Sequence, residues 1–526
     1  MVKNIFNFIT IITKNVIVHK MIILFLALIF ITAIIELALG YVPNSRFQKF
    51  LGIALSAAII GLSSAVLLEA LSAWSIILSF FSIFRVINIF RLVGGRKQKK
   101  YLKAVYLRSS QYLVIYQVVI LLVASVTKLL GFHYQDKWYL LAVFEILSAS
   151  VILASLIRSS KRSSPIMTSK YLTDTELPSI TVAIPARNET IDLDECLNSL
   201  ISSDYPKIEI LVLDDCSQEK KTPEIIRQFA HDGVRFVAGT QPPDNWTAKN
   251  FAYQKLIEES NGKYILFCGV DTRFSSYTLR KMIEVMIAKD KSMLSFIPVN
   301  YLPEGGGSGQ IKAISLQPWR YFWELGLPRR RLNRPAVLST CWLIDKKKLL
   351  SYGSFKAVSR NILPERYFAG RANKDNGGYG FIQSDDLLGL FCKKNFRDQY
   401  GTAIRTRYPV LKQRMELASL LALSEALIFF FPLVILYIGF RHSFIVLFII
   451  GVLTLVINAV SFYKVVKITY QKSLPLSFLL APFIAVLDIY MLLNSMWQYE
   501  FSEVIWKGRN VCVPVMRIEP RLPDDH

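Results

Sequence analysis

Two textures alternate along this chain. Residues 16–157 and 417–496 carry long apolar runs with few charges, whereas 165–410 mixes short apolar runs with polar turns. That pattern predicts membrane-spanning helices on both sides of a globular domain. The stretch 21–40 is long enough to cross about 30 Å of hydrocarbon. Residues 51–90 amount to roughly two spans, broken only by Glu69 and Arg85, and read as two crossings or as one crossing with an in-plane helix. Residues 111–130 and 138–157 read as a helical hairpin around 131–137. Later, 417–440, 443–463 and 474–493 are three further apolar stretches, the first interrupted by Glu425. The expected organisation is a membrane region 1–165 of about four spans, a globular domain 166–412, a second membrane region 413–498 of two or three spans, and a basic tail 499–526.

Between 179 and 300 the apolar period changes. β-branched runs at 180–184, 208–213, 234–237 and 264–268 have the length of strands, and amphipathic stretches at 193–202, 223–230, 247–260 and 277–288 that of helices. Thr247 is a natural N-cap for the third helix. The alternation predicts an α/β domain, a Rossmann-like, mostly parallel sheet with helices on both faces. Ligands of such sheets bind outside the carboxyl ends of the strands. Arg187 and Glu189 follow the first strand, Asp214 and Asp215 end the second, and Asp271 follows a later one, so the alternation brings them to one edge. Any one acid could merely cap the next helix; three sites on one edge point to a ligand. No G-x-G-x-x-G and no G-K-S/T loop occurs. A diphosphate there would be neutralised by a divalent cation on carboxylates, Mg2+ or Mn2+, with a basic side chain assisting.

The net charge is +23, from 62 Lys+Arg against 39 Asp+Glu. Basic clusters at 96–100 and 158–162 flank apolar runs, the placement that the positive-inside bias produces, and no nucleic-acid partner is expected. The basic loop 91–108 belongs in the cytosol and the nearly neutral 131–137 outside, so four crossings leave the domain on the cytosolic side of the plasma membrane. Six dispersed cysteines without a C-x-x-C pair and five scattered histidines suit a reducing compartment and offer no zinc site. Arg85, Asn88 and Arg91 recur every third residue as in a voltage-sensing ladder, but arginines near a helix end are expected to snorkel to the interface. Further on, Trp319, Phe322 and Trp323 share one helical face and Arg329, Arg330, Arg331 and Arg334 follow. That combination predicts a helix in the headgroup layer, where a lipid could enter.

Several short motifs then stand in a fixed order. The segment Val182-Ala183-Ile184-Pro185-Ala186-Arg187-Asn188-Glu189 resembles the opening strand of the family-2 glycosyltransferases of the GT-A fold, and Leu211 to Asp215 with Ser217 resembles their second strand. Asn245-Trp246-Thr247-Ala248-Lys249-Asn250 is similar to a stretch of the hopanoid-associated and carotenoid glycosyltransferases. Val270-Asp271-Thr272 looks like the end of the family's metal-binding Asp-x-Asp, with Gly269 where the first Asp is expected. Ser384-Asp385-Asp386 resembles the catalytic acid pair, and Trp506-Lys507-Gly508-Arg509 the Trp-x-Gly-Arg tail of lipid-directed members. The resemblance runs from Thr181 to about Tyr408 and returns near Trp506.

The resemblance implies an inverting transferase in which an acceptor attacks the anomeric carbon opposite a departing nucleoside diphosphate. It makes Asp386 the expected base, with Asp385 orienting it. Pro185, Ala186, Arg187, Glu189, Asp214, Asp215, Trp246 and Lys249 are the expected donor contacts, and Asp271 the ligand of Mg2+ or Mn2+. Trp506 and Arg509 belong to the tail; Trp319, Phe322, Trp323 and Arg330 are the expected acceptor and membrane interface. A nucleotide-sugar donor and a lipid or other membrane-associated acceptor are the implied partners. The rivals are a polysaccharide synthase, opposed by the missing Gln-x-x-Arg-Trp motif, and an inactive membrane scaffold, which Gly269 favours and the retained Asp271, Asp386 and Lys249 oppose.

Overall fold

The structure is a computed structural model that describes residues 24–511 apart from 26, 37, 40–45, 70–72, 94–99, 130–133, 165–171, 244, 303–307, 328–334, 376–377 and 473. Arg330 and the arginines around it lie outside the described residues. The chain divides into two units: residues up to 140 with 414–420, and residues 141–413 with 421–526.

In the second unit the β-branched runs form strands because the central ones are buried on both faces. β1 (Ile180–Ala186), β2 (Ile208–Asp214), β3 (Val234–Ala238), β4 (Tyr264–Cys268), β6 (Met293–Ile297), β8 (Cys341–Asp345) and β9 (Tyr379–Gln383) make a seven-stranded sheet in the order β3-β2-β1-β4-β8-β6-β9. Only β8 is antiparallel to its neighbours, so the expected mostly parallel α/β architecture is what the chain adopts. Pro185 is tolerated inside β1 because it lies past the last residue paired with β4, Ala183. The helices Ile191–Ile201, Lys221–Gln228, Ala248–Glu259 and Thr278–Ala288 cover the sheet, each within two residues of its expected bounds. One core packs Val182, Leu197 and Ile283 on one face; the other stacks Trp342 on Phe267 at 4.3 Å. A smaller sheet, made of β5 (Thr272–Phe274), β7 (Val299–Asn300) and β10 (Leu390–Cys392), runs in the order β5-β10-β7.

Among the described residues six helices are long and apolar enough to cross a membrane: Arg46–Leu67, Ser75–Val93, Trp138–Ser163, Met415–Arg441, Ile445–Tyr470 and Ser477–Phe501. Residues 51–90 are therefore two helices, Arg46–Glu69 and Ala73–Val93. The 21–40 stretch is represented by the shorter apolar helix Ala27–Glu36, and 111–130 by Ser109–Val123. Met415–Arg441 is itself two helices, Met415–Phe429 and Phe431–Arg441, meeting at Phe430 just before Pro432, which lacks the N–H that a continuing helix would use.

Two expectations are corrected here. In the first unit Arg85 neither snorkels nor forms a ladder. It is 1% exposed and donates to Glu36 at 2.9 Å, Gln117 at 3.1 Å and the Thr32 hydroxyl at 3.1 Å, because a charge inside an apolar bundle needs such partners. In the second unit Trp319, Phe322 and Trp323 share a helical face as expected, but that face is buried rather than offered to headgroups. Trp319 and Phe322 pack on Phe429, and Trp319 also on Phe462. The rings gain more by contact with apolar helices of their own chain than a solvent-facing position would give.

Candidate active site

Parallel register sets the geometry. β1 and β2 pair so that Ala186 lies opposite Asp214, which puts Arg187 and Asp215 side by side just past the strands. Arg187 is 7% exposed; its Nη1 donates to the carbonyls of Asp215 at 2.6 Å and Cys216 at 2.5 Å, and its Nε to that of Lys507 at 2.9 Å. Asp214 turns inward instead, accepting from the Ser217 amide at 3.2 Å and hydroxyl at 2.5 Å. The end of β3 comes so close that a Cβ on Gly239 would lie 2.2 Å from the Asp214 carbonyl oxygen, so only glycine fits. The tail closes this corner: Arg509 Nη1 donates to the Asp215 carboxylate at 2.6 Å, and Lys507 pairs with Glu189. Burial pushes the Lys507 ammonium down to about 8, helped by Arg187.

The second wall is the start of the helix Ala248–Glu259. Thr247 stands at the N-cap position, but its hydroxyl donates to the Ser359 carbonyl at 3.3 Å rather than capping the helix. Asn250 Nδ2 donates to the carbonyls of Val358 at 2.7 Å and Asn361 at 2.8 Å, which fixes the turn carrying Trp246 and Lys249. Lys249 Nζ lies 5.4 Å from the Tyr253 ring centroid. Burial lowers its pKa below the ordinary lysine value, with Glu365 opposing.

The third wall is Asp271, beyond β4. β10 pairs antiparallel with β5 so that Cys392 lies opposite Thr272, and the Lys393 amide donates to the Asp271 carbonyl at 2.8 Å. Lys394 then reaches the Asp271 carboxylate at 3.3 Å, and the Cys392 thiol donates to the same oxygen at 3.7 Å. Burial alone would raise the Asp271 pKa; Lys394 outweighs it, and the carboxyl is held below its ordinary value.

These walls enclose one cavity of about 1190 Å³. It brings together Pro185, Ala186, Arg187, Glu189, Asp215, Trp246, Lys249, Asp271, Trp506 and Arg509 of the expected site. Asp214 braces its turn without lining the cavity. Asp385 and Asp386 do not line it either. Asp385 Oδ1 accepts from the Leu388 amide at 2.9 Å, while Asp386 is exposed and its carbonyl accepts from the Tyr277 hydroxyl at 2.7 Å. The expected base therefore lies away from the expected donor contacts that line the cavity. Lys393, Lys394, Arg397 and Arg405 also stand on the cavity wall and are not among the expected residues. Arg405 lies 4.6 Å from the Trp506 ring centroid, and burial lowers it to about 10. The one signal of these four in the sequence is a basic cluster shortly after the acid pair.

A divalent cation does not fit the side chains at Asp271. Its carboxylate already takes Lys394 and Cys392 on one oxygen, and Gly269 supplies no second acid beside it. Among the described residues no group of three His, Cys, Asp or Glu side chains could hold a metal ion.

Residues 181–353 match the family described as Glycosyl transferase family 2. The match begins at the expected residue and ends before the acid pair. The chain is 36% identical over 99 residues to Glycosyltransferase AglE of Haloferax volcanii, covering 18% of this chain and 31% of that protein. It is 34% identical over 100 residues to Probable glycosyltransferase YdaM of Bacillus subtilis, covering 18% of this chain and 23% of that one. The alignments thus span less than a third of these two relatives. The mannosyltransferase PcManGT of Pyrobaculum calidifontis, solved with GDP-Man and Mn2+, aligns at 16% identity and a TM-score of 0.38 over 69% of this chain and 98% of that one. The residues that match glycosyltransferase family 2, 181–353, are those that supply β1, β2 and β4 of the cavity, so the family resemblance is shown for this domain.

Proposed function

We propose that this chain is a membrane-embedded transferase that moves a sugar from a nucleoside-diphosphate donor to a lipid-type acceptor at the cytosolic face. The observation that carries the reading is the cavity itself: basic side chains outnumber acids on its wall, at the carboxyl edge of a sheet flanked in the chain by apolar helices. An acceptor hydroxyl would attack the anomeric carbon, losing its proton to a carboxylate base, as the bond from that carbon to the diphosphate oxygen breaks. The charge collecting on the diphosphate would meet Lys249 and Arg405, where exclusion of water strengthens the attraction. Arg187, tied to three carbonyls, shapes the corner beside Asp215 that suits the nucleoside.

The test is release of nucleoside diphosphate from UDP- and GDP-sugars by the purified full chain in detergent, with and without a membrane lipid extract. Lipid-stimulated release, with label entering the organic phase, is expected; no release from any donor would sink the reading. Because Asp386 lies off the cavity, Asp386→Asn should leave nucleoside diphosphate affinity within about twofold, as expected for a surface change remote from the site. A larger loss would bring its carboxylate into the donor site.

The tail supports a shared side for domain and tail, since Lys507 and Arg509 are bound to Arg187 and Asp215. An even number of crossings then separates them, and Met415–Arg441, broken at Phe430, is the segment we assign as not crossing fully. Cys512, which lies outside the described residues, should resist an impermeant thiol reagent on intact cells, read by mass spectrometry of the tail peptide. Labelling there would place the tail outside.

A further inference from the structure

We propose that Lys394 supplies the counter-charge that a divalent cation would otherwise bring to the donor's diphosphate, so that nucleoside diphosphates bind this chain without metal. The inference rests on the reading of the cavity as a donor site. Its first support is the pairing of β10 with β5, which delivers Lys394 to the carboxylate beyond β4, 3.3 Å away. The Lys394 side chain is 12% exposed and that of Asp271 23%, so the pair is sheltered but still reaches the cavity it lines.

The second support is steric. Gly269 stands where a second acid would sit, and a Cβ there would lie 2.5 Å from Asp271 Oδ1, so Asp271 is the one acid of this turn as its side chain is placed. One carboxylate can hold Mg2+ beside substrate phosphates, but this one already carries the Lys394 ammonium, which would have to leave to admit the ion. The third support is electrostatic. Lys249 and Arg405 also feel the Asp271 charge, and although Glu365 and Asp398 act on them too, basic side chains outnumber acids on the cavity wall. The excess positive charge is where a diphosphate would need it, and an ammonium with three donors can hold Asp271 and a phosphate oxygen together.

The experiment is calorimetric titration of the purified full chain in detergent with UDP and with GDP, in EDTA and again in Mn2+. Affinity for the better-bound nucleotide should agree within about twofold between the two conditions. Lys394→Met should weaken binding in EDTA by about tenfold or more, the loss expected for a charge-assisted contact. Lys394→Arg, which keeps the charge, should retain most of the affinity, and matching melting temperatures would exclude misfolding as the cause. Binding that needs Mn2+, with Lys394→Met equal to wild type, would overturn the inference and leave the donor site standing. No binding under either condition would remove both.

Discussion

Lys249→Met is expected to lower sugar transfer by about 10²- to 10³-fold, the range lost when a preorganised charge stabiliser is removed from an enclosed site. Lys249 is held over the Tyr253 ring, and the turn that carries it is pinned by Asn250. Its ammonium is therefore fixed at the cavity, on a wall where cations outnumber acids. Burial lowers its pKa, so the charged form costs the fold something, and removing it should not lower the melting temperature. That separates a chemical role from a structural one. The same shift fixes the pH dependence. The charge is present below the folded pKa and lost as pH rises through it, so transfer should decline on the alkaline side before the ordinary lysine value of about 10.4. Wild-type rates in the Met variant, or a variant that melts lower, would remove Lys249 from the chemistry.

Arg187→Ala should release the tail and weaken nucleoside diphosphate binding by at least about tenfold. Three carbonyls lose a charged donor at once, and hydrogen bonds to charged groups are worth about 1.5–3 kcal/mol each. Two of those carbonyls shape the turn after β2, and the third belongs to Lys507 in the tail. With the tail loosened, Arg509–Asp215 and Lys507–Glu189 also open, so trypsin should cut after Lys507 or Arg509 faster than in wild type. Arg187→Lys should rescue little, because one ammonium cannot reproduce the planar fork. A tail as resistant to trypsin as the wild type would show that the hairpin Ile505–Trp506 and Arg509–Asn510 docks without this arginine.

Local pattern is enough for the strands β1 to β4 and the helices between them, because burial on a sheet or a helix imposes a period that a short window contains. It is also enough to place Arg187, Asp215 and Asp271 on one edge, since that follows from parallel alternation alone. The direction of a side chain is less legible. Trp319, Phe322 and Trp323 are visible as a face, yet the same face serves a headgroup layer or a neighbouring helix, and only packing against Phe429 and Phe462 chooses.

By itself, the sequence determined the layout of apolar regions around an α/β domain and the identity of many residues on the cavity wall. The tertiary structure decided which charges meet. Asp271 and Lys394 are 123 residues apart and come together through the pairing of β10 with β5. Arg187 and Lys507 are 320 apart and meet because the tail returns to the ends of β1 and β2. Asp385 and Asp386 stay off the cavity because their turn is held by Leu388 and Tyr277. No window of sequence contains those contacts, since their energy depends on partners that only chain folding brings within a few ångströms.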